Sequence, residues 1–111
     1  MDIGYPAEKL SDARRILMLP HPRGETESIV MAMHECSLGL RDVQEKHLED
    51  YAKQSLTVLR KLMDTSGLQD SSGRGLWAVK VECFTEEEKR EFSRAVDTLA
   101  HWFEMKLWGR R

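Results

Sequence analysis

Between Thr85 and Trp108 the chain carries one apolar stripe at helical spacing, and no other stretch limits the fold as strongly. Phe92, Ala95, Val96, Leu99, Ala100, Trp102, Phe103 and Leu107 recur so that, at about 100° per residue, they share one face. Thr85 and Glu88 open the stripe as a capping box: the hydroxyl can accept the Glu88 amide while the Glu88 carboxylate reaches back to the Thr85 amide. The acidic first turn, Glu86 to Glu88, and the basic end, Lys106, Arg110 and Arg111, both complement the helix dipole. A helix over roughly 86 to 108 follows, and it must bury one side against other elements.

Two more long helices are expected. Ile29, Met33, Cys36 and Leu40 fall on one face of a helix over roughly 25 to 40, flanked by Val30 and Ala32, with Met31 and Leu38 on the far side. Such an apolar circumference suits a central helix. Gly39 and the charged run after it suggest a break. Beyond it Leu48, Tyr51, Ala52, Ser55, Leu56, Leu59, Leu62 and Met63 fill one arc of a helix over roughly 45 to 66, with Gly67 at its left-handed end. A shorter helix over 12 to 18 is expected between a Ser11 or Asp12 cap and Pro20, although the Arg15 to Leu19 run also fits an extended segment. Residues 1 to 10 read as a segment lying against the body through Ile3, Tyr5, Pro6 and Leu10. Residues 69 to 75 read as a mobile polar loop. Residues 76 to 84 alternate as a strand does, with Trp77, Val79, Val81 and Cys83 on one side, but a short helix with Leu76, Val79 and Cys83 inward fits equally well. The expected architecture is therefore a mainly α single domain over 1 to 111: a compact bundle of three long helices, a short N-terminal helix, and a short strand or helix at about 76 to 84.

Charge removes some function classes. Seventeen Lys and Arg face nineteen Asp and Glu, for a formal net charge of -2. A dedicated duplex-binding domain draws most of its affinity from phosphate neutralisation and usually carries a basic excess. No apolar run approaches the roughly 20 residues that cross a bilayer, so no membrane partner is expected. The N-terminus has acidic residues early and no signal-length apolar core, which makes the cytoplasm the expected compartment. Cys36 and Cys83 form no short-spaced pair and read as small buried apolar residues in a reducing environment.

Motifs for chemistry are weak. His34 and Cys36 are two apart, so on a helix they diverge by about 200° and cannot turn to one metal ion. His34-Glu35 starts like the zinc-protease motif, but Leu38 stands where the second His is needed. The loop Ser71-Ser72-Gly73-Arg74-Gly75 matches neither phosphate-binding glycine pattern. His21 and Arg23 beside a helix start could hold an anion, but Glu25 and Glu27 already occupy that positive end. No cofactor and no catalytic set is expected.

One surplus remains. His101, Met105 and Trp108 recur at i, i+4 and i+7 on the face opposite the stripe, next to Arg94 and Glu104. Trp, Met and Arg are types enriched where proteins bind one another. Either the N-terminal Ile3, Tyr5, Pro6 and Leu10 cover this face, or it meets a protein partner or a second copy of the chain. The expected function is that of a small binding or regulatory protein acting through this helical face. An enzyme or ligand-binding domain built from His21, His34 or His47 with carboxylates is one alternative, its small molecule unspecified. A nucleic-acid accessory protein using Trp108, Lys106, Arg110 and Arg111 with Arg14, Arg15 and Arg23 is the other.

Overall fold

The structure, a computed structural model, describes residues 2–109. It is mainly helical: α1 (Gly4–Met18), α2 (Glu25–Leu40), α3 (Asp50–Met63), α4 (Leu76–Glu82) and α5 (Glu86–Gly109), with a single 3-10 turn at Glu45–His47 before α3. No strand occurs among the described residues.

The N-terminal element is long, not short. Asp2 accepts the Gly4 amide at 3.0 Å, and Pro6 sits in the first turn, where its missing N–H costs no hydrogen bond. Ser11 and Asp12, expected as caps, lie inside the helix, and Asp12 pairs with Arg15 one turn on at 2.9 Å. Leu19 is extended and Pro20 follows, which ends α1.

Residues 25 to 40 are helical as the pattern predicts. Met31 and Leu38 are exposed, however, so α2 is not the central helix. That place belongs to α5, which packs against both α1 and α3, while α1 also packs against α2. Gly39 does not break the chain. It is buried within α2 at a close approach to Lys9 and Leu10 of α1.

The third helix is shorter at both ends than expected. Arg60 donates to the Val43 carbonyl at 3.1 Å and pairs with Glu45 at 3.8 Å, so the linker folds back along α3 and Leu48 is buried in extended backbone. At the other end the Asp64 carboxylate takes the Ser66 amide and hydroxyl at 3.0 and 2.7 Å and draws the chain out of the helix. Gly67, at φ 79°, therefore serves the next turn, closed by the Leu68 amide on the Thr65 carbonyl, and not a helix end.

Residues 76 to 82 are helix and not strand. The Trp77 indole N–H donates to the Met63 carbonyl at 3.0 Å, and Trp77, Val81 and Phe84 recur at i, i+4 and i+7 on the inner side. A lone strand here would have had no ladder to join. Cys83, expected inside, is exposed.

The capping box forms as read: Thr85 and Glu88 exchange hydrogen bonds of 2.9 and 3.1 Å. The stripe from Phe92 to Phe103 is buried, but Leu107 is 40% exposed. With 24 residues α5 extends about 36 Å at 1.5 Å per residue, and its last turns run beyond the helices packed on it. The molecule is correspondingly elongated, 48 × 30 × 23 Å.

Candidate functional site

The overhang of α5 borders a hollow in the described surface. Ile3 ahead of α1, Leu48 and Tyr51 at the start of α3, and Trp102, Met105 and Lys106 of α5 surround a hollow of about 620 Å³. Lys106 and Glu49 form an ion pair of 3.0 Å at its rim, and the Lys106 ammonium lies 5.6 Å from the centre of the Trp102 ring. That cation over the ring keeps the alkyl stem of Lys106 on apolar surface while its charge stays wet. Trp102 stands edge-on to Phe103, with centroids 5.0 Å apart. Its indole N–H is buried and finds no acceptor among the described residues. An unmet buried donor costs about 1–3 kcal/mol, so this corner of the core is under-satisfied.

Met105 lines this hollow and is 58% exposed; Trp108, one turn on, is 54% exposed. His101 is exposed on the same helix. Arg94 lies further up α5, where it borders a shallower groove with Val58 and Glu91, and Tyr51 belongs to both depressions. The N-terminal residues do not blanket this face. Ile3, Pro6 and Leu10 are buried, but Tyr5 is exposed, and Met105 and Trp108 stay over half uncovered. Arg14 ties α1 to α5 by reaching Glu104 at 3.3 Å and Asp97 at 3.7 Å.

At this hollow sequence reasoning misplaces Tyr51. It was expected on the inner arc of α3 and is 47% exposed at the hollow. Tyr51 stands in the first turn of α3, at the edge of the buried arc that Ala52, Leu56, Leu59 and Leu62 form.

The other candidates are dispersed. His21 shares a 2.8 Å hydrogen bond with Ser28 in the first turns of α2, Arg23 is exposed, and Glu25 pairs with Lys89 at 2.7 Å. His34 meets the Trp77 ring edge-on at 4.7 Å, and His47 borders the hollow. The three imidazoles therefore serve three different places. Cys36 is buried, and burial pushes its thiol up to about 12, which leaves it inert as a ligand. No group of three or more His, Cys, Asp or Glu suited to a metal ion occurs among the described residues. Of the basic residues, Arg14, Arg15 and Lys106 each face a carboxylate. Arg110 and Arg111 lie outside the described residues. No described helix is long and apolar enough to cross a membrane.

No protein-family model, curated protein or solved structure matches this chain.

Proposed function

We propose that this protein is a binding or regulatory protein that engages another protein, or a second copy of itself, through the end of the bundle formed by α3 and α5. One observation carries the reading: Met105 of α5 and Tyr51 of α3 stay about half exposed and line one mainly apolar hollow with Trp102 and Leu48. Exposed apolar surface grouped in a concavity and rimmed by charge is the usual mark of an interaction site. Met105 and Tyr51 are the anchors within the hollow. Trp108, His101 and Arg94 extend the surface along α5. A cytoplasmic location fits two free thiols in separate segments.

The test is site-specific photo-crosslinking in cells, with a photoreactive phenylalanine derivative at position 105 and, as a control, at exposed Thr57. The expected result is one adduct of discrete mass at 105 and none at 57, competed by excess wild-type protein but not by Tyr51→Ala. The adduct mass separates self-association from a different partner. Equal labelling at both positions, or competition by the Tyr51 variant as good as by wild type, overturns the reading.

A further inference from the structure

The segment joining α3 to α5 is attached differently from the rest of the molecule. Of the helices, α4 packs chiefly on α2, and between residues 64 and 84 only Val81 and Phe84 are buried. What orders the segment internally is mostly polar. The Asp70 carboxylate accepts the Gly75 amide at 2.5 Å and the Arg74 amide at 3.1 Å. The Arg74 guanidinium forks onto both carboxylate oxygens of Glu82, one of them at 2.9 Å, which fastens the loop to the last turn of α4. Trp77 then hooks the other end of α4 to α3 through the Met63 carbonyl and to α2 through the His34 ring. Gly67, Gly73 and Gly75, at φ 79°, 73° and 98°, supply backbone turns that other residues rarely adopt. Beneath α4 lie Val30, His34 and Met63, around a hollow of about 490 Å³ that Trp77 and Leu76 also line.

Local opening free energies are set by how much apolar surface a segment buries and by how exposed its hydrogen bonds are. The four long helices share a continuous apolar core, whereas the 64–84 segment contributes Val81, Phe84 and part of Trp77 to it. We propose that residues 64–84 form a flap that opens by unfolding locally as one unit while α1, α2, α3 and α5 stay folded, uncovering the half-buried Val30 and Met63. Asp70 and the Arg74–Glu82 fork hold the flap's own fold together, and Trp77 is the hook that ties it to α2 and α3. The inference rests on this segment alone and does not depend on the hollow at the other end of α3.

Native-state hydrogen exchange at neutral pH tests it, read at the amides of Val79, Cys83 and Phe84, which bond within the flap to the carbonyls of Gly75, Lys80 and Val81. In the wild type these amides are expected to share one rate, faster than the slowest amides of α1 and α5. Asp70→Asn and Glu82→Gln are each expected to speed all three by about tenfold or more, with α1 and α5 unchanged. The α1 and α5 amides also report whether each variant has kept its fold. Three results overturn the proposal: flap amides as slow as the slowest body amides, flap and body amides accelerated together, or acceleration of only the Arg74 and Gly75 amides that Asp70 itself accepts.

Discussion

A β-carbon added to Gly39 would lie 2.7 Å from the Lys9 Cβ, closer than such atoms come in proteins. The near atom is the root of the lysine side chain, so α1 itself would have to move. Overpacking of this kind typically costs about 1–3 kcal/mol, against roughly 1 kcal/mol that alanine gains over glycine in a helix. Gly39→Ala is expected to lower stability by about 1 kcal/mol in chemical denaturation. An increase would mean that α1 and α2 are further apart than described.

At Trp102 two substitutions should part company. Trp102→Phe keeps most of the buried ring and removes an indole N–H that has no acceptor among the described residues. It is expected to cost less than about 1 kcal/mol, because loss of packing is offset by loss of the unmet donor. Trp102→Ala should cost about 3–5 kcal/mol. Met105→Ala, just over half a turn past Phe103, should change stability by no more than about 0.5 kcal/mol, while Phe103→Ala matches the large loss. Denaturant midpoints check all four, and a large loss at Met105 would place it in the core and remove it as an anchor.

The two thiols should differ sharply in reactivity. Cys83 is exposed and Cys36 is buried. A thiol reagent at pH 8 is expected to consume one equivalent quickly and the second only at the rate of opening of α2. The pH dependence has a definite sign. Burial raises Cys36 from 9.0 to about 12, with a smaller contribution from Glu35, so its contribution to stability is complete below pH 9 and falls as pH rises from 9 toward 12. Cys36→Ala should flatten that alkaline slope. An unchanged slope would assign it to other groups.

Asp70 predicts the opposite slope. The Gly75 amide, with those of Arg74 and Gly73, holds its carboxyl below the usual carboxylate range. A lowered folded value means that the contribution is present above pH 3.8 and lost as pH falls through the folded value. An NMR titration of the Asp70 carboxyl should give a midpoint below that of an exposed aspartate. The Gly75 amide resonance should titrate with it, and a midpoint at or above 3.8 would show that the amides do not grip the carboxylate.

Much of the scaffold could be read from residue order alone, and the omissions share a cause. The Thr85–Glu88 box, the apolar stripe of α5 and the bounds of α2 are local patterns, and local patterns decide helices that have caps and a buried face. α1 reads as a shorter helix because Ser11 and Asp12 look like caps and residues 1 to 10 look like a segment lying against the body, yet Pro6 falls in the first turn, where a proline breaks no bond. α4 reads equally as strand or helix, and what settles it is tertiary: the hydrogen bond from Trp77 to Met63. His101, Met105 and Trp108 were recognisable as a surplus beside the stripe. The hollow was not, because it arises from how far α5 overshoots its neighbours, a quantity that no periodicity contains.

Because α5 is the neighbour that α1 and α3 share, order of synthesis matters for this fold. While the ribosome is still making residues 86–109, α1 has only α2 to lie against and α3 lacks its main partner. The sides of α1 and α3 that face α5 must wait for the stripe that covers them. Closure of the core is therefore a late event, and a nascent chain stalled before Phe92 would offer chaperones the surface that α5 normally hides.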